Sequence, residues 1–276
     1  MKAAKFDYVR VSEAKEALSL LEDSDGSTKA MGGSQSLGPM LNLRLARPQK
    51  VVDVSGIAEW RTVSKDGGRI RVGAAVTHAE IEDGVFAELR GHMLQDVAGV
   101  IAYRAVRNRG TIAGSIAHAD PAADWVLATS ALGAELELTS AKGSRRSTMP
   151  EFMLGAYAVD LQPDELISAV YVPEKTEQTR WGYYKFCRKT GEFAEASCAA
   201  YFDPSTRTAR IVVGALGGAP QLLPDLSAKV AQEGLAAATP EAIAEAVKDI
   251  APEKTAGDRR LFMTVIERCL RRALGE

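Results

Sequence analysis

The stretch from Arg107 to Ala128 leaves this chain the least freedom. Gly110 and Gly114 bracket Thr111, so the backbone can turn tightly and present its N–H groups. Small residues at Ala113, Ser115, Ala117 and Ala119 let a flat ligand come close to the main chain. Asp120 then reads as an N-cap and Pro121 as the first helical residue, with Val126 and Leu127 as apolar positions of a helix running to Leu132. Read locally, these residues describe either a ligand-binding turn or a glycine-rich turn leading into a buried helix, because short glycine motifs are common.

A second stretch, Lys29 to Pro48, repeats the paired glycines and hydroxyls ahead of an apolar segment. That pattern of paired glycines and hydroxyls suits a diphosphate held by backbone N–H groups. No G-x-G-x-x-G follows a strand, and no P-loop lysine follows a glycine run, which argues against a Rossmann site or a nucleoside triphosphatase. Cys187, Cys198 and Cys269 form no CxxC pair, and His78, His92 and His118 lack metal-ligand spacing. The thiols read as buried residues of a reducing compartment, and His78 and His92 as capping or surface residues. No metal or iron–sulfur cluster is expected in this chain.

At 276 residues, 46% hydrophobic and 25% charged, the chain suits an ordinary globular protein with a sizeable core. A net charge of -2 gives no electrostatic reason for a nucleic-acid partner. The absence of a membrane-spanning apolar run or a cleavable signal pattern points to the cytoplasm without membrane insertion.

Periodicity supplies the elements. Phe6 to Arg10 alternates as a strand, Ser12 caps a helix through Ala14, Ala17, Leu18 and Leu21, and Thr28 to Met31 and Val51 to Val54 add strands. Thr62 to Lys65 and Arg69 to Val72 form a hairpin around Asp66, Gly67 and Gly68. Thr77 caps His78 to Glu82, and His92 to Ala105 reads as a helix interrupted at Gly99. Strands follow at Ala134 to Leu138, Arg145 to Thr148 and Glu165 to Val172, with a helical turn at Pro150 to Phe152. Glu174 to Arg180 reads as a linker. Strands at Trp181 to Arg188, Glu195 to Phe202 and Arg210 to Leu216 precede helices at Leu226 to Ala237, Pro240 to Ile250 and Asp258 to Leu274, an α+β order.

Together the two motifs resemble the FAD-binding medium subunit of the molybdenum hydroxylases, the xanthine dehydrogenase and carbon monoxide dehydrogenase family. The resemblance extends from Phe6 to about Gly218. It implies an α+β fold with a two-lobed, PCMH-like FAD-binding region, lobe 1 over 1–56 and lobe 2 over 57–175. A C-terminal α+β domain over 176–276 then carries a three-stranded sheet with helices. By the same resemblance Met31, Gly32, Gly33, Ser34, Gln35, Ser36 and Leu37 form the first diphosphate loop, and Thr111, Ile112, Ala113, Gly114 and Ser115 the second. His118 and Asp124 match positions facing the ribityl chain and diphosphate, while Ile101, Leu161 and Lys185 match positions around the flavin ring. Phe193 falls where some members set an aromatic residue against the ring. Two departures stand out: Ala113 and Ser115 replace the commoner Gly and Asn or Asp, and the first motif is one residue longer around Ser34 and Gln35.

The resemblance further implies non-covalent FAD in this chain, a molybdenum cofactor in a large partner, two [2Fe-2S] clusters in a small partner, and a dimer of heterotrimers. No catalytic residue of this chain is implied. Its task would be to move electrons through FAD to a final acceptor, with Lys185 stabilising negative charge on the reduced ring. Two other readings stay open. One is a self-contained flavin oxidase, for which Tyr157, Tyr183 and Tyr184 are the candidate bases; the other is an assembly module without FAD.

Overall fold

Short strands punctuated by tight turns build three sheets in succession, and the computed structural model describes residues 2–22, 24 and 26–275. Strands Asp7–Arg10, Thr28–Met31 and Lys50–Asp53 form a parallel sheet with Lys50–Asp53 in the centre. Val51 and Val52 of the central strand are fully buried, as a parallel strand covered on both faces requires. Helix Ala14–Glu22 packs on it through Ala17, Leu18 and Leu21. Ala17 N donates to Glu13 O, so Glu13 rather than Ser12 occupies the cap position.

The second sheet is antiparallel, in the order Val63–Asp66, Arg69–Gly73, Leu166–Pro173, Glu135–Ser140, Gly143–Thr148. The hairpin at Gly67 and Gly68 has φ of 55° and 80°, the two left-handed residues that a type I′ turn needs. Leu166–Pro173 lies in the middle and is buried from Leu166 to Val172. The single helix expected from His92 to Ala105 is two, Met93–Ala98 and Arg104–Arg107, separated by a turn in which Ala102 takes φ 42°. A small pair of strands at Met153–Gly155 and Ala158–Val159, which periodicity does not reveal, places Tyr157 at φ 57°.

The segment after Pro173 is a structured crossing: Glu174 N donates to Gly68 O, and Thr179 is buried in a turn closed on Thr176. Strands Arg180–Phe186, Ala196–Asp203 and Thr208–Gly214 then form an antiparallel meander, extended by a two-residue fourth strand, Gln221–Leu222. Its side chains divide by parity. Ala199, Tyr201 and Val212 join the main core, whereas Cys198, Ala200, Ile211 and Val213 join a second core with helices Pro224–Glu233, Pro240–Ile250 and Ala256–Leu274.

Between the second and third sheets lies helix Asp124–Leu132, buried everywhere but Ser130. Its apolar character on every side is what a helix walled in by two sheets needs. On the far side of the third sheet, Gly182 lets helix Ala256–Leu274 approach so closely that an added Cβ would stand 2.0 Å from Cys269 O. Gly182→Ala must push helix and sheet apart, and is expected to cost roughly 1–3 kcal/mol in urea unfolding. Gly218→Ala, with nothing within 4 Å of the new carbon, should stay within about 0.5 kcal/mol of the parent.

Candidate functional site

The first glycine run leaves the carboxyl end of the first sheet. Met31 O accepts from Val54 N at 3.0 Å, and the chain then turns through Gly32 and Gly33 to Ser34, which takes φ 64°. Gln35 Nε2 closes the turn on Gly33 O at 3.0 Å, and Gly38 N donates to Ser34 O, starting helix Leu37–Asn42. Ser36 stands at the N-cap without a side-chain cap bond. Among the described residues, the backbone N–H groups of Gly33, Ser34, Gln35 and Ser36 have no acceptor. Buried or half-buried backbone donors such as those of Gly33, Ser34 and Ser36 are normally paired, so this run of free donors could hold an anionic group.

The second run is arranged differently. Thr111 is the N-cap of helix Ile112–His118, its Oγ1 accepting from Gly114 N at 3.2 Å. Ile112 N donates to Val76 O and Ser115 N to Thr111 O. Of the stretch expected to offer donors as a loop, only Thr111 and Ala113 keep theirs free; Ile112, Gly114 and Ser115 use theirs to hold the helix and its bridge to Thr77.

The two runs touch backbone to backbone. A Cβ on Gly33 would lie 1.9 Å from Arg109 O, and one on Gly32 would lie 2.7 Å from Thr111 Oγ1. Gly33 is therefore required by close approach, not by a positive φ, and Gly32 beside it meets the Thr111 side chain.

Beyond the helix, Ala119 takes φ 51° and His118 packs against Tyr157, ring centroids 5.2 Å apart. Tyr157 N donates to Ala119 O, and its hydroxyl donates to Asp120 Oδ2 at 3.0 Å. Asp120 is not the N-cap expected of it. Its Oδ1 accepts from Ala122 N in a local turn, and the helix starts at Asp124 with Ala123 in the cap position. Pro121 accordingly lies before the helix.

Asp124 and Lys185 meet. Asp124 Oδ1 accepts from Lys185 Nζ at 2.9 Å and from Tyr183 Oη at 2.6 Å, with the ion pair almost wholly buried. Burial and the Asp124 carboxylate push the Tyr183 hydroxyl well above its ordinary range. Lys185 opens onto a cleft of about 530 Å³, lined also by Val100, Ala102, Tyr103, Thr190 and Gly191; Ile101, between Val100 and Ala102, is buried and does not line it. Leu161 and Phe193 do not line this cleft: Leu161 is half-buried at the margin of the main core, and Phe193 is 63% exposed.

Sequence reasoning missed the residues beneath the second run. His78 is neither a cap nor a surface residue. It is buried, its N donates to Gly110 O at 2.9 Å, and its Nδ1 accepts from Trp125 Nε1 at 2.9 Å. Nothing in the local pattern around Thr77 signals this, because the partners come from distant segments. His92 does cap its helix, Nδ1 accepting from Leu94 N, and it is also buried, with Nε2 against Pro173 O.

Residues 4–175 match the model of the FAD binding domain in molybdopterin dehydrogenase, and the chain belongs to that family. Its cofactor is FAD, and its fold is the PCMH-like one. Among relatives, the nicotine 6-hydroxylase medium subunit of Paenarthrobacter nicotinovorans is 32% identical over 82% of this chain and 80% of its own length. The carbon monoxide dehydrogenase medium chain of Hydrogenophaga pseudoflava is 33% identical over 74% and 71%. The solved carbon monoxide dehydrogenase from Hydrogenophaga pseudoflava superposes with a TM-score of 0.89 at 29% identity, covering 99% of this chain and 98% of that one. Quinoline 2-oxidoreductase from Pseudomonas putida 86 gives 0.86 at 27% identity, with the same coverage.

The two buried histidines predict an acid-sensitive fold. Burial, reinforced by the Arg107 charge, lowers His78 from 6.5 to about 3, and burial lowers His92 to about 4 despite the Pro173 carbonyl. The unfolded chain takes up these protons below about pH 6.5 while the folded chain does not. Their contribution is therefore complete above that pH and falls as pH drops toward 4 and then 3. Between pH 7 and 5, above the carboxylate range, each should remove about 2 kcal/mol of unfolding free energy. Urea midpoints at the two pH values test this; equal stability at both would refute it, and His92→Asn should reduce the loss by about half.

Proposed function

We propose that this chain is the FAD-carrying medium subunit of a multi-subunit molybdenum hydroxylase, moving electrons from partner-borne [2Fe-2S] clusters to a final acceptor. The observation that carries this is the row of unpaired N–H groups from Gly33 to Ser36, which the Gly33 contact sets against the Arg109–Gly110 backbone that leads into the second run. That row fits the diphosphate of FAD. The names of the relatives as medium subunits or chains support a large and a small partner; in this proposal the large one carries the molybdenum cofactor, the small one carries two [2Fe-2S] clusters, and the whole assembles as a dimer of heterotrimers.

FAD supplies the chemistry when bound, accepting electrons singly and releasing them singly or as a pair. The chain's residues position and tune it. Met31 to Leu37 form the main diphosphate cradle, and Thr111 to Ser115 its second wall. His118, held by Tyr157, borders the ribityl side and Lys185 borders the ring; Ile101 and Leu161, which do not line the Lys185 cleft, back it from within the core. Asp124 fixes the Lys185 ammonium at 2.9 Å, so positive charge stands where negative charge develops on reduction. Phe193 shields the ring from outside.

The arrangement disfavours a self-contained oxidase. Each tyrosine that such an enzyme would need as a base is engaged: Tyr183 with Asp124, Tyr157 with Asp120, and Tyr184 with Arg268.

Two measurements test the proposal. Native purification should yield three chains absorbing as flavin plus iron–sulfur, with acid releasing free FAD; a lone colourless chain would refute it. In the flavin-stripped chain, Gly33→Ala must separate the two runs and should weaken FAD binding at least about tenfold, the loss of one or two hydrogen bonds. Unchanged affinity would remove the cradle from the site. Separately, Lys185→Met should lower the midpoint potential of the bound flavin.

A further inference from the structure

We infer that His78 is a positioning residue for the flavin: hydrogen-bonded to Trp125 and wedged under Gly110, it sets the place of the Arg109–Thr111 backbone on which the diphosphate cradle closes. The role rests on the cradle proposed above.

The geometry forms a stack. Gly33 lies on Arg109 O, and the next residue, Gly110, lies over the imidazole, where an added Cβ would stand 2.5 Å from His78 Nε2 and 2.8 Å from its Cδ2. His78 N donates to Gly110 O, and Ile112 N donates to Val76 O, so residues 76–78 and 110–112 are joined by two backbone bonds around the Thr77 to Thr111 bridge. The ring cannot rotate away from Gly110, because Nδ1 accepts from the indole of fully buried Trp125 at 2.9 Å, the two rings meeting edge to face at 61°.

Because cores are close-packed, a change under Gly110 is transmitted rather than absorbed. Losing the indole acceptor leaves a buried N–H without a partner and frees the imidazole site to collapse, which shifts Gly110 and with it the Arg109 carbonyl against Gly33. The bond also needs an unprotonated Nδ1. Burial provides this by lowering the ring's pKa to about 3. Trp125 follows Asp124 in sequence, so the same helical turn that holds Lys185 holds His78.

The test is FAD titration of the full, flavin-stripped chain, with melting of the same samples. His78→Leu keeps bulk and removes the acceptor; His78→Asn restores an acceptor near the Nδ1 position; Trp125→Phe removes the donor from the other side. His78→Leu and Trp125→Phe should each weaken FAD about tenfold, the double variant should be no weaker than the worse single one, and His78→Asn should recover most of the affinity. His92→Leu, which removes a buried histidine far from the cradle, should melt lower with FAD affinity intact. If His78→Leu or Trp125→Phe melts lower but binds FAD like the parent, the histidine is structural only and the inference falls. Should His78→Leu fail to fold, Trp125→Phe alone decides. Gly33→Ala separates the two levels: if it weakens FAD and neither His78→Leu nor Trp125→Phe does, the cradle stands and the role of His78 falls; if it too is without effect, the cradle itself fails.

Discussion

The site depends on a contact with no side chain in it. Gly33 rests against the carbonyl of Arg109 so closely that the smallest side chain would overlap the oxygen. This contact turns two glycine runs, far apart in sequence, into one surface. It also explains why the two runs differ in chemistry. The second is a scaffold: a capped helix, a backbone bridge to residues 76–78 and a packed ring below. The first carries the free donors and takes its position from that scaffold.

Helix Asp124–Leu132 is the wall common to both ends of the site. Squeezed between the second and third sheets, it cannot translate without disturbing both, which makes it a rigid reference for whatever its first turn holds. Asp124 reaches toward the third sheet and fixes Lys185, and Trp125 reaches the other way and fixes His78. The Lys185 cleft and the glycine runs are thereby set relative to each other by adjacent residues. A buried pair such as Asp124 and Lys185 is weak evidence for stability, since desolvation offsets much of the attraction. Its value in the proposed function is the fixed place of a positive charge beside the cleft that Lys185 lines.

Much of this was legible in the sequence, and for a uniform reason. Where a signal is local, it reads correctly to within a residue: Gly67 and Gly68 make the hairpin turn, Thr77 makes a full capping box with Glu80, the helix from Pro240 to Ile250 ends where its periodicity ends, and the first cap falls on Glu13, one residue after Ser12. The pair of motifs points to two runs that the fold brings into contact at Gly33 and Arg109, because glycine runs report where backbone must be approached. What failed was local chemistry whose partner is distant. Asp120 and Pro121 have the order of a helix start, yet Tyr157, from a turn no periodicity reveals, engages Asp120 and the helix begins at Asp124. His78 looked like a solvated cap because its indole partner comes from another helix. The glycine at 33 was identified correctly, but steric approach and not φ is its cause, and only a fold can show what approaches.

The asymmetry between the two runs bears on how the chain behaves without its cofactor. Internally satisfied donors need no ligand, so the scaffold run should keep its shape whether or not FAD is present. The Gly33 to Ser36 run is different, because a buried donor left unpaired costs on the order of 1–3 kcal/mol. Gln35 is exposed and can turn to water, whereas Gly33 is buried between its own turn and Arg109. An anionic group relieves this penalty at the moment of binding, so part of the affinity for FAD is generated by the fold and not by the number of contacts. Such an arrangement works only if the opposing wall does not yield, and the close-packed stack of His78 and Trp125 under Gly110 is the part of the fold that would resist it.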